Sequence, residues 1–121
     1  MNNAANKFIL RGSIWLVDLD PVQGHEQGKT RPCLVISDNR FNDSKAELLV
    51  VVPLTSKVQK NFWSIKMPSK DTGLKGDSYI LCAQITTISK KRLCSNSPIG
   101  LVKSNYLSSV ESRLKYLLGF D

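Results

Sequence analysis

The sequence predicts a mainly β domain, a compact antiparallel barrel with one α-helix packed against it at the C-terminal end. Several short segments of strand-forming residues come first, and a single segment of helical period follows them. Strands and helices do not alternate along the chain, which argues against a parallel sheet with crossover helices. A chain of 121 residues fits one domain and buries enough surface to fold without disulfides or a structural metal.

The N-terminal part of the chain predicts two strands joined by a polar loop. Residues 1–10 contain no core-forming pattern and are expected to be a flexible lead-in, so the single domain is placed at residues 11–121. Strand-forming residues fill positions 13–19 and end at an Asp-Pro pair, which stops a strand. Residues 22–30 form a loop with two glycines, and the apolar run at 32–36 predicts a buried strand.

The middle of the chain predicts three more strands. Residues 37–44 are turn-like, with a sequence suited to one helical turn at 39–42. The strongest strand lies at 47–54, where consecutive apolar residues indicate that both faces of the strand are covered. Weaker alternation predicts a strand at 62–67, and a longer strand is expected at 78–88.

The C-terminal segment changes to a helical period. Apolar residues recur at the spacing of one helix face, at Leu107, Val110, Leu114, Leu117 and Leu118. Ser104 or Asn105 is the expected N-cap, and Gly119 supplies the C-terminal stop. One face of this helix is therefore expected to pack on the barrel.

The charge of the chain points to a polyanionic partner. Lys and Arg total 17 against 10 Asp and Glu, a formal net charge of +7. Such an excess suits nucleic acid, a membrane surface or an acidic protein, and solubility alone is the plain alternative. The longest apolar run is far too short to span a bilayer, and the N-terminus lacks the apolar region of a signal peptide. We therefore expect a cytoplasmic protein that does not bind a membrane.

The cysteines and the single histidine do not predict a metal site. Cys33, Cys82 and Cys94 are scattered without a CxxC pair, and the first two lie in apolar runs and are expected to be buried thiols. His25 has no second ligand at metal-binding spacing. The motifs of zinc proteases, P-loop NTPases, Rossmann enzymes and α/β-hydrolases do not occur in the sequence. We expect neither a metal nor another cofactor.

Two positions are candidates for contact with a phosphate. Arg31 closes the glycine-bearing loop and directly precedes Pro32, so the buried strand that follows should hold its backbone. An arginine anchored in this way presents a planar donor fork to a phosphate, although a salt bridge to Glu26 explains its placement equally well. The Thr55-Ser56 pair ends the strongest strand, where its hydroxyls could orient a phosphate. Capping of a turn is the favoured explanation for these hydroxyls.

Basic residues cluster in two further places. Five lysines lie within residues 57–75, with Phe62 and Trp63 between them. Cations around aromatic rings suit a groove for single-stranded nucleic acid, and an aromatic core beside a solvated lysine face is the equal alternative. The basic residues at 90–92 fit either contact with RNA or a charged turn.

Four segments, taken in order, resemble the MazF/PemK family of toxin endoribonucleases. They are RGSIWLVDLDP at 11–21, GHEQGKTRPCLVI at 24–36, VVPLTS at 51–56 and AQITTISKKRL at 83–93. No single segment decides the match, but the four in this order are specific. The resemblance covers about residues 11–118.

The resemblance implies both a fold and an activity. The fold is an SH3-like antiparallel β-barrel of the CcdB/MazF type with a C-terminal α-helix, assembled as a homodimer whose cleft receives single-stranded RNA. The activity is cleavage of mRNA at short specific sequences, by metal-independent attack of the 2′-hydroxyl. A cognate antitoxin, expected to be an acidic and partly disordered segment, would block the cleft.

The resemblance also assigns roles to individual residues. Arg31 and Thr55 match the family's catalytic arginine and threonine, and Glu26 matches a glutamate that acts in the acid–base step or positions that arginine. The residues expected to bind substrate are Gln84, which matches the family glutamine, together with Ser56, Lys57, His25 and Gln27.

The sequence departs from part of the family pattern. Leu81 and Ala83 occupy positions where some members carry an arginine and an aspartate implicated in cleavage, and Thr86 stands where many members have an arginine. The chain therefore fits the branch that relies on Arg31 and Thr55, and the identity of the general base stays open. The alternative function is that of a gyrase-poisoning toxin of the CcdB type, which shares the barrel and acts through its C-terminal helix.

Overall fold

The computed structural model describes residues 8–20, 24 and 29–120. Its strands are β1 (Ser13–Asp18), β2 (Thr30–Val35), β3 (Leu48–Thr55), β4 (Ser64–Met67), β5 (Ser78–Leu81), β6 (Thr86–Ser89) and β7 (Gly100–Leu101). Its α-helices are α1 (Asn39–Asn42) and α2 (Ser104–Leu118), and short 3-10 helices lie at Ser69–Asp71, Cys82–Gln84 and Lys90–Arg92.

The strands form one antiparallel sheet that curls around the long strand β3. The order across the sheet is β4-β5-β3-β2-β1-β7, and β6 pairs with the first half of β3, on the edge that β5 uses further along. After β6 the chain returns to β1. There Leu93 forms a β-bridge with Val17, and the Cys94 amide donates to the Leu16 carbonyl over 2.9 Å. The predicted mainly β antiparallel fold with a C-terminal helix is confirmed.

Both faces of the curled sheet are covered, as the apolar run in β3 predicted. The core inside the curl consists of Ile9, Trp15, Val17, Leu19, Cys33, Val35, Leu49, Val51, Ile88 and Leu93. The core between the sheet and α2 consists of Ile14, Leu34, Val52, Leu54, Met67, Ile80, Cys82, Val102, Tyr106 and Val110. Full burial of each large aliphatic side chain contributes about 1.5–3 kcal/mol, so two cores on one strand make β3 the centre of the fold.

The prediction of one strand over residues 78–88 is wrong. The chain forms β5 and β6 with a 3-10 helix between them. The Cys82 amide donates to the Trp63 carbonyl over 3.0 Å, and the Ile85 amide donates to the Cys82 carbonyl over 3.3 Å. These two bonds turn the backbone away from the β3 ladder for three residues, which a uniformly strand-like sequence does not reveal.

The prediction of Ser104 or Asn105 as the N-cap of α2 is also wrong. Both residues lie inside the first turn, and the residue before them occupies the N-cap position without a side-chain hydrogen bond. The start of the helix is anchored from elsewhere, because the Tyr106 hydroxyl donates to Asp71 Oδ2 over 2.6 Å. At the other end, Gly119 ends the helix as predicted, with a left-handed φ of 75°.

The predicted lead-in over residues 1–10 falls mostly outside the described residues. Within it, Ile9 is only 4% exposed and belongs to the core inside the curl, and its carbonyl accepts a hydrogen bond of 3.1 Å from Asn42 Nδ2. A flexible lead-in therefore stays a prediction for residues 1–7. None of the helices in the described ranges has the length and apolar character needed to cross a membrane.

Candidate active site

Arg31 and Thr55 belong to the neighbouring strands β2 and β3. In the ladder between β2 and β3, Cys33 lies opposite Pro53. Continuing this register by two residues along each strand places Arg31 opposite Thr55. Alternate residues of a strand share a face, so both side chains belong to the same face as Cys33, at the end of the curled sheet. This is the arrangement that contact of both residues with one phosphate requires.

The backbone of Arg31 is held by β1. Arg31 pairs with Val17 on β1, and the Val17 side chain is fully buried. The guanidinium lies close enough to the Cys33 thiol for its positive charge to act on that group. Burial is the larger effect on Cys33 and raises the pKa of the thiol to about 12, so this cysteine stays protonated at neutral pH. It is therefore a buried core residue, as predicted, and not a nucleophile.

Thr55 combines burial with a defined hydroxyl geometry. It pairs with Tyr79 on β5 and is 6% exposed. Its Oγ1 accepts a hydrogen bond of 3.2 Å from the Lys57 amide, which confirms the turn-capping interpretation. Because that bond uses only an acceptor lone pair, the hydroxyl proton can still be donated to a phosphate oxygen. Capping and substrate contact are therefore compatible, and Ser56 and Lys57 follow in exposed positions.

Gln84 reaches the same region from the other edge of β3. It is the last residue of the 3-10 helix between β5 and β6, and it is half-buried. Since β5 pairs with Leu54 and Thr55 while β6 pairs with residues up to Val51, the bend that carries Gln84 lies beside Pro53. Arg31 and Gln84 thus lie on opposite sides of the second half of β3, the strand that ends at Thr55.

Three of the predicted site residues, His25, Glu26 and Gln27, lie outside the described residues. The two ends of their loop are well defined. The Leu19 amide donates to the Lys29 carbonyl over 2.8 Å, and the Lys29 amide donates to Asp20 Oδ1 over 2.6 Å. The loop is therefore closed at its base, immediately before Arg31.

The basic residues at 90–92 form a charged turn, which was one of their two sequence interpretations. Lys90 is 4% exposed, and its Nζ lies 3.5 Å from Glu47 Oε2. Arg92 donates through Nη1 to the backbone carbonyls of Asp18, over 3.0 Å, and of Asp20. Lys91 is exposed. The sequence gives no sign that two of these three cations bind the protein itself.

The aromatic residues among the lysines pack against α2. The Phe62 ring lies 5.0 Å from Trp63 and 5.6 Å from Tyr116, both in edge-to-face geometry. The Arg113 guanidinium lies 4.8 Å from the centre of the Phe62 ring, and its Nε donates to the Phe62 carbonyl over 3.1 Å. The cluster is still half open to solvent, with Phe62 49% and Tyr116 65% exposed. Sequence reasoning missed Arg113 and Tyr116, because the helical spacing marks neither as part of the apolar face.

Among the described residues, metal-binding side chains do not converge in this region. Within residues 8–20, 24 and 29–120, no group of three or more His, Cys, Asp or Glu side chains is placed to hold a metal ion. Metal-independent chemistry stays a prediction, since residues 22, 23 and 25–28 of the loop that precedes Arg31 lie outside the described residues.

Comparison with known proteins places the chain among toxins. Residues 10–118 match the family model described as "PemK-like, MazF-like toxin of type II toxin-antitoxin system". "Endoribonuclease MazF9" of Mycobacterium tuberculosis (strain ATCC 25618 / H37Rv) is 36% identical over 110 residues, covering 87% of this chain and 92% of the relative.

Solved structures show the same fold. The crystal structure of MazF (Form-I) from Deinococcus radiodurans has a TM-score of 0.81 at 24% identity, covering 93% of this chain and 97% of that chain. An endoribonuclease in complex with its cognate antitoxin, from Mycobacterial species, has a TM-score of 0.72 at 23% identity and the same coverage, 93% and 97%. These comparisons do not support the gyrase-poisoning alternative. The chain belongs to the PemK-like, MazF-like toxin family of type II toxin–antitoxin systems.

Proposed function

We propose that this chain is an endoribonuclease toxin that cleaves single-stranded mRNA at short specific sequences. The observation that carries the proposal is the register of β2 and β3, in which Cys33 lies opposite Pro53. Continued by two residues along each strand, this register supports a position of Arg31 opposite Thr55 on one face of the sheet. The relative named endoribonuclease MazF9 supports the activity, and the family description supports the role as a toxin. The net charge of +7 fits a polyanionic substrate.

The chemistry needs no external nucleophile. RNA carries its own nucleophile, the 2′-hydroxyl, which loses its proton, attacks the phosphorus and forms a 2′,3′-cyclic phosphate while the bond to the 5′-oxygen breaks and that oxygen takes up a proton. The enzyme has to align the 2′-hydroxyl with the phosphorus and stabilise the charge that develops on the phosphate oxygens. Arg31 donates to these oxygens. An arginine is a poor proton donor because of its high pKa in water, so charge stabilisation is its role. The Thr55 hydroxyl donates to the same phosphate.

The remaining site residues are assigned by the family pattern. Glu26 acts as the general base or orients Arg31, and its place in the loop before β2 is consistent with either role. The residues proposed to bind the bases and phosphates on both sides of the scissile bond are Gln84, Ser56, Lys57, His25 and Gln27. Of these, Gln84 has the best structural support, because the bend between β5 and β6 carries it to the edge of β3 beside Pro53.

The proposed assembly is a homodimer that an antitoxin neutralises. Apolar side chains near the C-terminal end of α2 stay exposed, namely Phe62, Tyr116, Leu117, Leu118 and Phe120. An exposed apolar surface of this kind is typical of an interface, and a second copy of this chain is its proposed occupant. The antitoxin is proposed to be an acidic segment, consistent with related structures solved with a cognate antitoxin. The cytoplasm is the proposed location, since mRNA is there.

Incubation of the purified protein with one long mRNA tests the proposal. We expect cleavage at a few defined sites, unchanged in EDTA, with products that end in a 2′,3′-cyclic phosphate. A parallel incubation with gyrase and supercoiled plasmid tests the CcdB-type alternative and should leave gyrase activity unchanged. An intact mRNA together with inhibited gyrase would contradict the nuclease and support the alternative.

A further inference from the structure

We infer that Arg92 is a positioning residue for Arg31. The inference rests on the proposed function, in which Arg31 contacts the scissile phosphate. Arg92 is the last residue of the 3-10 helix that follows β6, far in sequence from the β1–β2 region. Its Nη1 donates to the carbonyls of Asp18 and Asp20, at the point where β1 ends.

The Arg92 side chain continues the row of hydrogen bonds along the outer edge of β1, beyond the last one that the main chain makes. Along the outer edge of β1, the Leu16 carbonyl accepts from the Cys94 amide over 2.9 Å, and Val17 bridges Leu93. The next carbonyl on that edge belongs to Asp18, two residues further along the strand. It accepts from the Arg92 side chain over 3.0 Å, because the backbone at Arg92 has turned into the 3-10 helix.

The end of β1 that Arg92 holds is the end that aligns Arg31. Val17 pairs with Arg31, and Asp18 pairs with Thr30. One step further along, the Asp20 carboxylate accepts from the Lys29 amide over 2.6 Å. The chain of contacts thus runs from Arg92 through the last residues of β1 to the first residues of β2, where Arg31 is located.

Both of these Arg92 hydrogen bonds go to backbone carbonyls. A guanidinium that donates to two carbonyls of one segment holds the backbone of that segment in place. Lys91, its neighbour on the same turn, is exposed, and its amide donates to Ser89 Oγ over 3.1 Å. Lys91 therefore offers a control with the same charge at an adjacent position.

The test compares Arg92→Ala with Lys91→Ala on a short RNA that contains one mapped cleavage site. For Arg92→Ala we expect kcat to fall roughly ten- to hundredfold with little change in KM, because a misplaced Arg31 costs rate and not contact with the rest of the RNA. For Lys91→Ala we expect kcat close to that of the wild type. A kcat of Arg92→Ala equal to that of the wild type would overturn the inference.

Binding of the same RNA with a 2′-deoxy group at the scissile position separates positioning from direct contact. The Kd and its salt dependence should be the same for Arg92→Ala and Lys91→Ala. Loss of a phosphate contact would instead weaken binding and reduce the slope of log Kd against log salt concentration by roughly one. If only Arg92→Ala flattens it, Arg92 binds RNA itself and the inference is overturned.

Two further measurements test the inference even if Arg92→Ala does not fold or the wild type does not cleave RNA. If Arg92→Ala does not fold, Arg92→Met replaces it, since methionine keeps the length of the side chain without a donor, and a wild-type kcat for that variant overturns the inference. Amide hydrogen exchange at Leu19 and Lys29 should be faster in the Arg92 variant than in Lys91→Ala, and unchanged exchange overturns the inference. A wild type that cleaves no RNA contradicts the proposed function alone, because the exchange measurement does not depend on cleavage.

Discussion

At the scale of single residues, the site depends on one guanidinium held by the strands beneath it. Arg31 pairs with Val17 on β1, and the β2–β3 register continued by two residues puts Thr55 opposite it, so β1 holds its backbone beside Thr55. We predict that Arg31→Ala lowers the rate of RNA cleavage by about 10²–10³, because loss of one positioned donor at a developing charge costs that much. Single-turnover cleavage of a mapped RNA measures the effect.

The matched control for this prediction is Arg40→Ala. Arg40 lies in α1, beyond the opposite end of β2, and its side chain contacts Asp38 over 3.1 Å at the surface. The variant removes the same charge and should cleave at the wild-type rate with an unchanged melting temperature. Equal rates for Arg31→Ala and Arg40→Ala would remove Arg31 from the mechanism.

Two substitutions of Thr55 distinguish its structural role in capping the turn from its proposed chemical role at the phosphate. We predict that Thr55→Ser retains most of the cleavage rate, since it keeps the hydroxyl that caps the Lys57 amide and donates to the phosphate. Thr55→Val keeps the shape but should lose about 10²-fold in rate and about 1 kcal/mol in the free energy of unfolding. Cleavage assays and urea unfolding of the two variants measure both effects. A fully active Thr55→Val would limit this hydroxyl to capping the turn.

At the scale of elements, the carboxylate of Asp71 connects the start of α2 to the 3-10 helix at Ser69–Asp71. The Tyr106 hydroxyl donates to Asp71 Oδ2 over 2.6 Å, and Lys103 Nζ lies 3.3 Å from Asp71 Oδ1. The Tyr106 hydrogen bond first, and then Lys103, hold the pKa of Asp71 below its ordinary value. Because the folded pKa is the lower one, this stabilisation is complete above the unfolded pKa of about 4 and is lost as pH falls through the folded value.

We therefore predict that the stability of Asp71→Asn is less sensitive to acid than that of the wild type. Its free energy of unfolding, measured in urea at neutral pH and in the acid range, should fall less on acidification. Tyr106→Phe should behave similarly, because it removes the main cause of the lowered pKa. Tyr116→Phe, at the other end of α2, is the control and should match the wild type. Identical acid sensitivity in Asp71→Asn and the wild type would contradict the assignment.

Sequence periodicity predicted most elements because their patterns are local. The apolar run in β3 implied two covered faces, and the cores on either side of it confirm this. The helical spacing of α2 and its Gly119 stop were likewise readable, as was the single turn of α1. These features follow from which neighbours along the chain share a face, and no tertiary information is needed to see them.

Features set by distant contacts were not predictable. The buried Lys90 pairs with Glu47, which lies in another segment, and Arg92 binds carbonyls more than 70 residues away in sequence. The break between β5 and β6 depends on a bond from Cys82 to the Trp63 carbonyl. For the candidate site, the sequence supplied Arg31 and Thr55 by resemblance, and the sheet register supplied their juxtaposition.

At the scale of the whole molecule, the exposed aromatic cluster at the end of α2 is the proposed dimer contact. We predict that the protein sediments as a dimer at micromolar concentration and that Tyr116→Ala shifts it towards the monomer, since this ring is 65% exposed in the single chain. Phe41→Ala, which removes another exposed ring on α1, should leave the dimer intact. A monomeric wild type at that concentration would argue against a cleft shared by two copies.

In the proposed mechanism, the RNA's own 2′-hydroxyl attacks a phosphate held by Arg31 and Thr55. The most direct test uses two RNAs that differ only at the nucleotide 5′ of a mapped cleavage site, one with ribose and one with 2′-deoxyribose there. We predict that the first is cleaved in EDTA to a 2′,3′-cyclic phosphate product and that the second binds with similar affinity but is not cleaved. Cleavage of the 2′-deoxy RNA at that bond would contradict attack by the 2′-hydroxyl.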